Sequence, residues 1–107
     1  MSNLFIERDF LKKAQERKRL RINKKMIRRM ARYINSNLVE AEENPTTTSF
    51  RFSMDRFVIR MNITNISEED LKTIFLEHIR PGLIKAGYKV EKDKEYWGEV
   101  YLISWGD

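Results

Sequence analysis

One pattern constrains this chain more than any other. Between Lys18 and Glu43, Ile22, Met26, Met30, Tyr33, Ile34, Leu38 and Ala41 recur at mostly three- and four-residue steps. Wound at 3.6 residues per turn they make one apolar stripe, and Arg17, Arg21, Lys24, Lys25, Arg28 and Arg32 take the opposite face. Such a segment is a helix that must dock its Met/Ile side on an apolar surface. Asn44-Pro45 ends it, because the residue before a proline avoids the α region. Glu40, Glu42 and Glu43 crowd the end where the helix dipole prefers cations, so packing rather than local preference has to hold the helix.

Upstream of Lys18 the phase breaks. A continuous helix would turn Lys12 and Arg19 toward the core side, and Phe10, Leu11 and Ala14 toward the basic side. Residues 3–16 are therefore expected either to form a separate short helix folded back on the body, or to project and meet a partner. Leu4, Phe5, Phe10 and Leu11, with Ile6, form too apolar a cluster to stay bare, which marks them as candidate self-association residues. The chain divides into an apolar and basic arm, residues 1–17, and a single domain, residues 18–107.

After the polar linker PTTTS, residues 50–63 alternate with period two in two phases. Phe50, Phe52 and Met54 share one face; Phe57, Ile59, Met61 and Ile63 share another, and the parity switches at Asp55-Arg56. A hairpin turning there pairs Met54 with Phe57 and Phe52 with Ile59. Asp-Arg lacks the glycine that tight hairpin turns favour, and a single bulged strand produces the same switch. The hairpin is the expected form. Ser67 then caps a helix whose first turn holds Glu68, Glu69 and Asp70 and whose buried stripe is Leu71, Ile74, Phe75, Ile79 and Leu83. Pro81-Gly82 should break or kink it near Arg80. Two strands, 88–91 and 99–105, close the chain. The order αββαββ predicts an α+β fold, with a long amphipathic helix and a second helix on one face of a small antiparallel sheet.

A chain of 107 residues supports one core. Its net charge of +5 conceals an uneven division: residues 1–32 carry 12 of the 21 basic residues and three of the 16 acids, so the remainder is net acidic. This polarity bears on partners rather than on fold. With no cysteine, thiolate chemistry, disulfides and Cys-based zinc sites are excluded. The opening MSNLFIERDF has no long hydrophobic region, and no run approaches the roughly 20 apolar residues of a membrane span. A cytoplasmic protein without a membrane partner is expected.

Catalytic chemistry has little to stand on. His78 is the only histidine, and nucleophile–base pairs usually need one poised beside the nucleophile. A lone histidine at the edge of an apolar stripe is more often a packed or solvent-edge side chain. Glu68, Glu69 and Asp70 are explained as a helix start, and Glu40, Glu42 and Glu43 are spaced too closely to converge from a helix. The four glycines match no phosphate-cradling loop. No catalytic residue, metal site or cofactor is expected, and the protein is read as a non-enzyme.

The basic face remains. Arg17, Arg21, Lys24, Lys25, Arg28, Arg29 and Arg32 line about three turns, enough for several simultaneous phosphate contacts. A solvated helix face is the plainer explanation, since Lys and Arg are good helix formers. Such faces, however, usually intersperse Glu with Lys four residues on, and here the acids are nearly absent. The expected partner is nucleic acid, DNA or RNA; an acidic protein surface, including a second copy in a homo-oligomer, is the alternative. No aromatic residues interleave the stretch and no helix-turn-helix or RNA-module signature is present.

The ending GYKVEKDKEYWGEVYLISW resembles that of small phage-encoded accessory proteins, in which a helix leads through Gly-Tyr-x-Val into a hairpin finishing in Ile-Ser-Trp. Those positions are Gly87, Tyr88, Val90, Ile103, Ser104 and Trp105. With Ile34-Asn35 and the Phe-rich strand, the similarity extends over residues 22–105; the basic extension before residue 22 departs from it. The resemblance implies a small viral accessory protein, in the host cytoplasm, that acts by binding, often on a host component. It implies no catalytic or ligand residues. The function expected is thus a phage-like accessory protein whose basic helix contacts nucleic acid, the alternative being an inhibitor of a host factor or a virion assembly component.

Overall fold

The computed structural model describes residues 5–106. Helix α1 runs from Arg8 to Ala41, so the phase break does not interrupt it. At 1.5 Å per residue it is about 51 Å long. It dominates a molecule measuring 71 × 27 × 21 Å. The body can cover only part of such a helix. Met26, Met30 and Ile34 are buried, whereas every residue from Phe5 to Arg21 is exposed. Of the two fates expected for the first residues, folding back and projection, the structure has the projection. The separate short helix is absent because the backbone can continue in helix regardless of which way the side chains face.

β1 (Ser49–Ser53) follows, and α2 (Met54–Arg60) stands where the second hairpin strand was expected. The parity switch marked a change from strand to helix. Met54, Phe57, Val58 and Met61 also fit a helical spacing, and Ser53 accepts a hydrogen bond from the Arg56 N–H as its N-cap. The C-terminus closes on Asn62, at φ 52. The Asn62 N–H bonds the Ile59 carbonyl and the Ile63 N–H bonds the Val58 carbonyl, both orphaned by the helix end. Asparagine tolerates this left-handed conformation better than most residues. Packing explains the choice: helical geometry buries Phe57 and Met54 and leaves Ile59 exposed, whereas the hairpin would have aligned all three.

α3 (Glu68–Ile74) opens as expected, with Ser67 accepting from the Asp70 N–H. It does not break before Pro81. One wide π turn, Phe75–Ile79, carries the chain into α4 (Arg80–Lys85), and the Arg80 N–H bonds the Phe75 carbonyl. Proline has no N–H to donate and its ring crowds the carbonyl four residues back, so the preceding turn widens instead of ending. At the far end Gly87, at φ 103, makes the same two-bond closure as Asn62, through Gly87 to Ile84 and Tyr88 to Leu83.

β2 (Lys89–Lys92) and β3 (Val100–Ser104) complete an antiparallel sheet of order β1-β3-β2. The register places Phe52 opposite Tyr101, and Phe50 opposite Ile103, which also faces Val90. This face takes the helices. Phe52 stacks on Phe75 at 5.2 Å, Phe75 lies 4.2 Å from Tyr101, and Tyr33 of α1 meets Phe57 edge-on at 5.2 Å. The α+β architecture is the expected one, with three strands rather than four.

Candidate nucleic-acid interface and projecting arm

The docked side of α1 is fixed by Met26, Met30 and Ile34, and helical periodicity then aims the basic residues outward. Arg17, Arg21, Lys24, Lys25, Arg28 and Arg32 are all exposed. None has a carboxylate within 4.0 Å among the described residues. Arg17 to Arg32 spans roughly 22 Å of helix. Arg29 differs from the other six. It is half-buried and donates a 2.7 Å hydrogen bond to the Met61 carbonyl, at the C-terminal end of α2 where orphan carbonyls favour a cation.

Three of the protein's own carboxylates, Asp70, Asp93 and Glu99, pair with cations elsewhere. Arg19 leaves the helix on the body-facing side and holds Asp70 with two bonds, Nε to Oδ2 at 3.1 Å and Nη2 to Oδ1 at 2.6 Å. Arg51 pairs with Asp93 at 2.8 Å on the outer sheet face. Glu99 accepts from the Tyr101 hydroxyl and lies 3.4 Å from Lys72 and 3.6 Å from Lys92.

These contacts set the acid behaviour of the fold. The Tyr101 hydrogen bond, more than the lysines, holds the Glu99 carboxyl below the ordinary glutamate range. The Arg19 hydrogen bond lowers Asp70, and the Arg51 hydrogen bond lowers Asp93. Burial first, and Glu99 second, push the Tyr101 hydroxyl up. A carboxyl depressed in the folded state adds stability above its unfolded pKa, and that stability is lost as pH falls through the folded value. The urea midpoint should therefore hold from neutral pH down to about 5 and decline below it. Glu99→Gln, costing about 1 kcal/mol at neutral pH as the loss of a partly exposed ion pair, should make that decline shallower. An unchanged acid limb in the variant would remove Glu99 from this role.

Of the residues expected to mediate self-association, Phe5, Phe10 and Leu11 are 84%, 64% and 47% exposed at the projecting end of the molecule; Leu4 lies outside the described residues. Leu20, nearer the body, is also exposed. His78 sits exposed on the π turn and makes no side-chain hydrogen bond among the described residues. Among those residues no three His, Asp or Glu side chains converge on a common point. No described helix is long and apolar enough to cross a membrane.

Two features went unread in the sequence. Trp97 is 98% exposed, on the loop joining β2 to β3, and its neighbour Tyr96 lies 5.1 Å from the Arg51 guanidinium. The run Lys-Glu-Tyr-Trp-Gly is too short to fold back on the core, which was the available signal. A shallow groove of about 460 Å³ runs between the end of α1 and the α4–β2 corner, lined by Leu38, Val39, Ala86, Tyr88 and Trp105. Its residues come from three separate elements, so no local pattern announces it. Compared with known proteins, the chain matches no family model, no curated sequence and no solved structure.

Proposed function

We propose that this is a binding protein that contacts nucleic acid along the outer face of α1, through Arg17, Arg21, Lys24, Lys25, Arg28 and Arg32. One observation carries the reading: six outward cations on a continuous helix have no carboxylate beside them among the described residues. Like charges along a helix face destabilise it modestly, and a polyanion relieves that cost while releasing its own condensed counterions. Arg29 braces α2 and stands outside the set. The helix presents point charges without a convergent base-reading group, so binding is to the phosphate backbone and nearly indifferent to sequence. The setting that fits is the one the resemblance implies, a small accessory protein acting without catalysis.

The test is fluorescence anisotropy with short duplex DNA, duplex RNA and single strands over a range of salt. Contacts to about six phosphates predict a log–log salt slope near −5 on duplex DNA. Absence of binding to every probe at about 50 mM salt would refute the proposal. A second reading, contact with a protein surface, is supported by the apolar start of α1, whose exposed Phe10 and Leu11 no phosphate would cover.

A further inference from the structure

We infer that the projecting arm of α1 pairs with the arm of a second copy, antiparallel and about a two-fold axis, with Phe10 packed on Ala14 of the partner subunit. The arm carries a seam of its own. Glu7, Phe10, Ala14 and Arg17 follow one another at three-, four- and three-residue steps, the spacing of a helix–helix seam. Lys12 and Arg19 fall on the other side of the helix, the side by which Arg19 reaches Asp70. The seam is thus turned away from the body and open along its length.

Reversing one copy against another makes this seam complementary to itself. With Phe10 over the partner's Ala14, the second Phe–Ala layer follows by symmetry, a large side chain against a small one in both. The same register sets Glu7 across from the partner's Arg17, twice. Leu11 on one flank meets the partner's Leu11 near the axis. The exposed Phe10 and Leu11 are then covered together. Isologous contact demands this kind of self-complementarity. A nucleic acid would leave the apolar residues bare and bring its phosphates against Glu7. Length agrees as well. The overlap ends where each helix reaches its own body, at Arg19, and the bodies lie on the side opposite the seam, so they do not collide.

The overlap is short, about 16 Å of helix, against the roughly 20–30 residues a side that a stable interface of standard size engages. The dimer should therefore be weak, dissociating in the micromolar range; Arg21, Lys24, Lys25, Arg28 and Arg32 of each copy stay outside it, and Arg17, which pairs with Glu7 of the partner subunit in the dimer, is open to a phosphate only in the monomer.

Sedimentation of the nuclease-treated full chain at about 150 mM salt, from micromolar to near-millimolar concentration, tests the pairing. A concentration-dependent dimer is expected. Phe10→Asp should abolish it without moving the urea midpoint. Glu7→Arg and Arg17→Glu should each weaken it about tenfold, and the two together in one chain should restore it, because the swap rebuilds both ion pairs. A chain monomeric throughout overturns the inference. So does a dimer indifferent to Phe10→Asp, which would use another surface, or one that forms only with nucleic acid present. Failure of the double swap to restore what the single changes weaken overturns the register.

Discussion

Replacing both Arg21 and Arg28 by glutamate should lower affinity for duplex DNA about a hundredfold or more at low salt, with no loss of stability. The two residues lie seven apart, close to the same side of α1, and both are exposed. The change removes two phosphate contacts and adds two negative charges to the middle of the row. The salt slope should fall by about 2 from the lost contacts alone. Neither guanidinium pairs with a carboxylate among the described residues, so the urea midpoint should stay within about 0.5 kcal/mol of the parent. Conversely, Arg29→Ala should unsettle α2 and leave the salt slope close to its original value, since its guanidinium already serves the Met61 carbonyl. Undiminished binding by the double glutamate variant would show that another surface holds the nucleic acid.

Phe75→Ala should cost about 3–5 kcal/mol, a large part of the 5–15 kcal/mol typical of a whole domain. Phe75 is fully buried at the first position of the π turn. Its ring stacks on Phe52 of β1 on one side and packs against Tyr101 of β3 on the other, so it joins the helical layer to two strands at once. Truncation leaves a cavity that neither rigid neighbour can fill. The variant should unfold at much lower urea, with a blurred or shallower transition if the core loosens before the helices melt. Phe10→Ala is the control: it removes an equal ring from an exposed position and should change the midpoint little. A loss under 1 kcal/mol for Phe75→Ala would mean the core is held elsewhere, by the α1 contacts of Met30 and Ile34.

The α1 stripe, the Ser67 cap and the two closing strands were all legible in advance, because each rests on a few neighbouring residues. The segment 50–63 was not. Its apolar residues satisfy period two with one switch and also a strand-then-helix division, and the deciding residues, Ser53 as N-cap and Asn62 as left-handed closure, act only once a helix is there to close. The π turn was half-legible: Pro81 announced a disturbance, but that the helix would widen instead of stopping depended on the core contacts of Phe75, Ile79 and Leu83. Among the cations, sequence spacing grouped Arg29 with its neighbours. Only the position of the α2 carbonyls separates it from them.

By itself the sequence determined that a helix would run from Lys18 to the Asn44-Pro45 stop, which face it would bury, and that its other face would be cationic, since periodicity and charge are local properties of the chain; its start ten residues earlier, at Arg8, was not legible. Whether those cations would be neutralised by the net-acidic remainder was a question about distances across the fold. The tertiary structure decided it: Asp70 pairs with Arg19, Asp93 with Arg51 and Glu99 with Lys72 and Lys92, and among the described residues no acid comes within 4.0 Å of the outer row. It also decided that the arm stands clear of the body. A helix about 51 Å long outruns a molecule whose other two dimensions are 27 and 21 Å, and among the described residues every one from Phe5 to Arg21 is left exposed.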